Sequence, residues 1–217
     1  MRSGCTSRSA LTFALAVTLW ASPNADSPAS NESAGGGVLY VSNETAGTVV
    51  ILDGSTGAVE AQVPIGKRPR GVKLSRDGSR LFVALSGSPI GGPGVDESKL
   101  PPADRSADGI GVIDLASRKL ERIYPSGPDP EAFDVSPDGK LLYVSNEDTA
   151  AMAVVDLDKG AVTRSVSICG EPEGVTVAPD GRMVYVTCEA DGVVAAIDTT
   201  SLRVTAQVPD THLSSDR

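Results

Sequence analysis

Apolar residues along this chain gather in short runs that do not alternate cleanly with polar positions; Val38–Ser42 and Thr48–Asp53 are the first two. Runs of five or six residues, apolar on both parities and rich in valine, predict strands covered on both faces. Later in the chain four such runs follow in order: Glu173–Ala178, Arg182–Thr187, Val193–Asp198 and Leu202–Val208. They read as the innermost, second, third and outermost strands of one antiparallel sheet.

The same pattern recurs at fixed spacing. Aromatic residues mark the second strand at Tyr40, Phe82, Tyr143 and Tyr185, separated by 42, 61 and 42 residues. Aspartates mark the end of the third strand at Asp53, Asp114, Asp156 and Asp198, separated by 61, 42 and 42. Pro69, Pro130 and Pro172 keep the same register, as do Gly78, Gly139 and Gly181. One unit therefore carries 19 extra residues, between Phe82 and Asp114. Repeats of this length without helical periodicity predict an all-β fold, a β-propeller of four-stranded antiparallel blades. About four blades are expected, over residues 37–66, 67–126, 127–169 and 170–209. The first starts at its second strand, and a polar stretch, 210–217, follows the last, so an incomplete ring of the seven-bladed type is expected. A closed four-bladed ring is the alternative.

Local chemistry supports the hairpins. Asp77-Gly78, Asp138-Gly139 and Asp180-Gly181 supply the positive backbone angle of a tight turn between first and second strands. The marker aspartates are expected to accept hydrogen bonds from backbone amides of the following turn, and not to act as catalytic acids.

Charged residues make up 22% of the chain and hydrophobic ones 40%, a soluble globular balance. The net charge of −9 argues against a nucleic-acid partner, because phosphate binding needs a basic face. Residues 1–25 read as an export signal: Arg2 and Arg8, an apolar run from Ala10 to Trp20, then small and helix-breaking residues. Residues 26–36 read as a linker, so a periplasmic or secreted protein is expected, with no membrane span once the signal is removed. The mature chain holds Cys169 and Cys188, for which two free thiols are expected and a disulfide is the alternative. The single histidine, His212, lies outside the repeats, so they offer no histidine-based triad or haem ligand.

Propeller loops place Glu131, Glu147, Glu173 and Glu189 on one end of the barrel of blades. These carboxylates are the candidates for a hard cation such as calcium, with a solvated acidic rim as the alternative. Lys67-Arg68-Pro69-Arg70 offers two guanidinium groups for clamping a carboxylate, against the plainer reading of exposed turn charges.

Tyr143-Val-Ser-Asn146, Tyr40-Val-Ser-Asn43 and Tyr185-Val-Thr-Cys188, with the flanking Ser-Pro-Asp-Gly-Lys, Val-Val-Asp and Glu-Pro-Glu-Gly segments, resemble the YVTN-type β-propeller repeat. The insertion Ser86–Asp108 is similar to that of exported propellers associated with pyrroloquinoline-quinone-dependent alcohol catabolism. The resemblance implies a non-enzymatic binding or scaffold protein, accessory to a periplasmic quinoprotein dehydrogenase. The chain itself is not expected to bind the quinone, since the one tryptophan, Trp20, lies in the expected signal. An envelope or surface-layer protein and a lactonase-like metal-dependent hydrolase are the alternatives. The insertion is rich in Gly and Pro, and long loops on rigid scaffolds concentrate binding residues. Arg68, Arg70, Asp96, Glu97, Lys99, Asp104, Arg105 and Asp108 are therefore the candidate partner contacts.

Overall fold

The structure is a computed structural model that describes residues 37–91 and 95–209. The expected signal (1–25), linker (26–36) and polar tail (210–217) lie outside the described residues. Among the described residues no helix is long and apolar enough to cross a membrane.

Among the described residues fifteen strands form four antiparallel sheets. The first sheet holds β1 (Val38–Asn43), β2 (Thr48–Asp53) and β3 (Val59–Pro64). The second holds β4 (Pro69–Leu74), β5 (Arg80–Leu85), β6 (Gly109–Asp114) and β7 (Lys119–Tyr124). The third holds β8 (Pro130–Val135), β9 (Leu141–Asn146), β10 (Ala151–Asp156) and β11 (Ala161–Ser167). The fourth holds β12 (Pro172–Val177), β13 (Met183–Cys188), β14 (Val193–Asp198) and β15 (Arg203–Pro209). Each sheet runs in sequence order, as propeller blades do. Among the described residues the first has three strands, with β1 at its inner edge.

Turn chemistry explains the repeat. Gly78, Gly139 and Gly181 take positive φ angles of 68°, 74° and 73° in the inner hairpins. Asp53, Asp114, Asp156 and Asp198 each accept a backbone N–H from the turn that follows, at 2.7–2.9 Å from Thr56, Ser117, Lys159 and Ser201. These bonds hold all four carboxyl groups below the ordinary range, led by the Thr56 hydroxyl for Asp53 and the Ser117 hydroxyl for Asp114. For Asp156 the Lys159 side chain leads, and for Asp198 the Ser201 amide. The marker aspartates are turn caps.

Blades pack face to face, and one buried cluster fills each junction. Val49, Ile51 and Val63 of the first blade meet Leu81, Val83, Leu85 and Ile113 of the second. Phe82, Ala84, Ile110 and Val112 meet Phe133, Leu142, Val144 and Val155 of the third, with Phe82 edge-on to Phe133. Tyr143, Met152 and Val154 meet Val184, Val186, Ala195 and Ile197 of the fourth. Burying each such aliphatic side chain is worth about 1.5–3 kcal/mol, so these layers dominate stability. Asp134 adds a polar staple across three blades: it pairs with Lys73 at 2.8 Å and accepts the Val177 N–H at 2.9 Å.

Candidate functional site

Chain connectivity gathers two kinds of loop on one end of the blades: those between second and third strands, and those leading from an outermost strand into the next innermost one. Each innermost strand begins the same way. Arg68, Asp129 and Glu171, the residues before Pro69, Pro130 and Pro172, have φ angles of 39°, 49° and 46°. A left-handed backbone at non-glycine residues costs about 1–3 kcal/mol each. Part of that cost is offset in register, because the carbonyls of Arg68, Asp129 and Glu171 accept the N–H groups of Ser86, Glu147 and Glu189. A bulge then follows the proline in all three strands, and ladder pairing resumes only at Val72, Phe133 and Val175. Bulges re-aim side chains. The residues they carry, Arg70, Glu131 and Glu173, form the mouth of the blade assembly.

At that mouth a guanidinium sits among carboxylates. Arg70 pairs with Glu131 and lies 3.7 Å from Glu147. Asp129, Glu131 and Glu147 each bring a carboxylate oxygen within 4.8 Å of the others. Asp129 and Glu131 are buried, and Asp129 accepts a hydrogen bond from the buried Ser86 hydroxyl. Burial, then Arg68, pull the Arg70 pKa down against the opposing pull of Glu44, Glu173 and Asp129. Burial pushes the Glu173 carboxyl up, as do Glu147, Glu189 and Glu171, and Arg70 only partly offsets them. Of the four expected cation ligands, Glu131 and Glu147 fall in one cluster; Glu173 acts by its charge on Arg70 beside it, and Glu189 acts by its charge on Glu173. Asp129 belongs to the cluster but was not among those four. Its signal lay in the Asp-Pro-Glu step, which repeats Arg-Pro-Arg and Glu-Pro-Glu. The three clustered carboxylates have the oxygen chemistry of a hard-cation site, yet Arg70 already supplies a cation there.

The described parts of the insertion, residues 86–91 and 95–108, rise beside this mouth from the β5–β6 junction. The neck is folded. Gly87 donates to Asp108 at 2.7 Å, Asp104 donates to the Gly87 carbonyl at 2.9 Å, and Asp104 caps a 3-10 turn over Arg105–Ala107. A β-carbon at Gly87 would meet the Asp104 carbonyl, so glycine is required for this closure. Lys67 grips Asp104 at 2.7 Å, Arg68 donates to the Ser88 and Pro89 carbonyls at 3.1 Å each, and Arg105 pairs with Asp108 and with Asp148 of the next blade. Arg68 also reaches Glu44 of the first blade at 3.3 Å.

This placement revises the roles expected for the charged residues. Arg68, Asp104, Arg105 and Asp108 hold the insertion, and Arg70 is committed to the mouth. Asp96 and Lys99, paired at 2.7 Å around the short turn Glu97–Lys99, stand at the exposed tip. Ile90 and Val95 are exposed apolar residues of the same insertion, and the charge pattern did not single them out. Between insertion and first blade runs a cleft of about 530 Å³, walled by Pro89, Ile90, Pro101, Pro102, Glu44 and Lys67. Its size is that of a ligand or side-chain pocket.

A correction concerns the cysteines. They form a disulfide, with Cα atoms 5.8 Å apart, where two free thiols were expected. Cys169 lies in the loop before β12 and Cys188 ends β13, and the Pro172↔Cys188 ladder pair draws these two segments together. Sequence separation alone could not place them across that pair.

Comparison with known proteins bears on the fold. No family model matches the chain. It is 26% identical over 108 residues to antigen Lp49 of Leptospira interrogans serogroup Icterohaemorrhagiae serovar copenhageni (strain Fiocruz L1-130), covering 50% of this chain and 23% of that protein. Among solved structures, the hydrazine synthase of Kuenenia stuttgartiensis superposes with a TM-score of 0.62 at 23% identity, over 81% of this chain and 47% of that one. The chain thus spans about a quarter of the one protein and about half of the other. The chain has an all-β architecture of propeller blades, and the likeness at this identity carries the fold alone.

Proposed function

We propose that this chain is an exported β-propeller binding protein that docks a protein partner through the insertion on its loop end. We assign the partner to the class of periplasmic quinoprotein dehydrogenases. The observation that carries the docking role is the anchoring of the insertion by Lys67, Arg68 and Arg105 to three blades at once. A tolerated, floppy insertion needs no such struts. Its tip presents Ile90, Val95, Asp96 and Lys99 to solvent, a mixed apolar and charged surface of the kind partners bury. The partner class and the YVTN-type assignment come from the repeat and insertion resemblance. The Cys169–Cys188 disulfide fits an oxidising compartment. Binding is favoured over lactonase-like hydrolysis because Arg70 stands where the mouth carboxylates would otherwise hold a metal.

The test replaces Ser88–Ser106 by a four-residue turn and measures binding to a purified quinoprotein alcohol dehydrogenase by sedimentation velocity. The deleted ion pairs are largely exposed and worth at most about 1 kcal/mol each, so the melting temperature should move little. Binding should be lost. Undiminished binding by the shortened chain would remove the insertion from the interface.

A further inference from the structure

Equivalent positions in successive blades are covered to very different degrees, and the difference falls at the two outer faces of the assembly. Each blade has a forward face, led by the aromatic of its second strand, and a backward face, led by the aliphatic residue before it. At the junctions the forward aromatics Phe82 and Tyr143 are 6% and 3% exposed, whereas Tyr185 of the fourth blade is 42% exposed. The backward residues Leu81, Leu142 and Val184 are 1%, 0% and 0% exposed, whereas Leu39 of the first blade is 39% exposed. Ladder pairing fixes the rest of each open face. Tyr185 lies opposite Ala196 and Thr187 opposite Val194; Leu39 lies opposite Leu52 and Val41 opposite Val50.

These faces are the two halves of the junction that the chain already builds three times: an aromatic-led forward face on an aliphatic backward face. Among the described residues no buried cluster joins the first blade to the fourth, so the halves do not meet within one chain. We propose that they meet between chains: the forward face of the fourth blade, around Tyr185, docks on the backward face of the first blade, around Leu39, of a second copy. The contact is head to tail, so it uses different surfaces on the two copies. Two copies of four sheets joined this way at both ends place eight blades about one axis, within the range that propellers adopt. The insertion takes no part in this contact.

Light scattering coupled to size exclusion tests the proposal on the full chain of 22.2 kDa. Wild type should elute at twice the chain mass and fall toward one chain mass on dilution. Tyr185→Glu and Leu39→Glu change exposed positions, so each variant should keep the wild-type circular dichroism spectrum and its disulfide. Each alone should remain at one chain mass. Mixed in equal amounts they should associate again, because the intact Tyr185 face of one meets the intact Leu39 face of the other. A wild type that stays at one chain mass would overturn the proposal. So would variants that still associate alone, or a mixture that fails to associate, which would point to like faces packing on like.

Discussion

Cys169 and Cys188 occupy in the fourth blade the two positions that Gly127 and Asn146 occupy in the third. In the third blade the Asn146 amide donates to the Ser126 carbonyl at 2.7 Å and fills the space where a β-carbon on Gly127 would stand. In the second blade Leu85 lies over Gly66 at the same place. One structural latch is thus made by an apolar contact, a hydrogen bond and a disulfide in turn.

The disulfide form of the latch makes a direct prediction. Closing a loop of this length is worth about 3 kcal/mol in the chain-entropy account. Reduction, or Cys188→Ser, should lower unfolding free energy in urea by about that amount. Thiol titration of the denatured, unreduced chain from residue 26 onward, which leaves out Cys5, should find no free thiol, and a Cys169–Cys188 cross-linked peptide should appear by mass spectrometry. Two titratable thiols per chain would contradict the latch.

Arg70, whose side chain is partly exposed, pairs with the buried Glu131 at the mouth. Removing one partner strands the other charge, which typically costs about 3–5 kcal/mol. Arg70→Ala should therefore destabilise strongly, while Arg70→Leu combined with Glu131→Gln should recover most of the loss. Equal destabilisation by the single and double variants, measured by urea unfolding, would show that the pair is not coupled.

Glu173 carries a carboxyl whose pKa is raised on folding, chiefly by burial and then by Glu147, Glu189 and Glu171, with Arg70 opposing. The folded state then holds this proton more tightly than the unfolded state, where the pKa is about 4.3. Its contribution to stability accordingly falls as pH rises from the unfolded value through the folded one, and the deficit persists at neutral pH. Glu173→Gln should raise the melting temperature at pH 7 and flatten that part of the pH–stability curve. A lower melting temperature for Glu173→Gln would reverse the sign of this account.

Asp104 shows the opposite linkage. The Lys67 ammonium, then the Ser106 hydroxyl, hold its carboxyl down to about 2. Its tether is fully present above the unfolded value of about 3.9 and is lost as pH falls through about 2. Pepsin should therefore spare residues 86–108 near pH 4 and cut there as the pH approaches 2. Asp104→Asn should open the insertion to proteolysis at every pH. Cleavage that is equally fast across this range in the wild type would mean that the tether does not hold the loop.

Much of the fold was legible because the chain states it four times. The 42-residue spacing of Tyr143 and Tyr185, and the Asp-Gly turns in register with them, specify a sheet whose strands pair in order. The mouth was less legible. Glu131 and Glu147 could be placed on one end from loop position, but the burial of Asp129 depends on the left-handed turn before Pro130 and on Ser86 from another blade. Arg68 and Arg105 looked like groups offered to a partner, since a sequence does not show that carbonyls of Ser88 and Pro89, or Asp148, will meet them. Exposed charge and structural strut have the same letters.

The insertion is a built element of the loop end and not a loose loop. Hydrogen exchange of the free chain at neutral pH tests it without any partner. The amides of Gly87, Asp104 and Ala107, which donate to Asp108, Gly87 and Asp104, should exchange far more slowly than an unstructured peptide of the same sequence. Lys67→Ala together with Arg105→Ala should release that protection while the amides of β5 and β6 stay protected. Exchange of the three neck amides at the unstructured rate in the wild type would contradict the account.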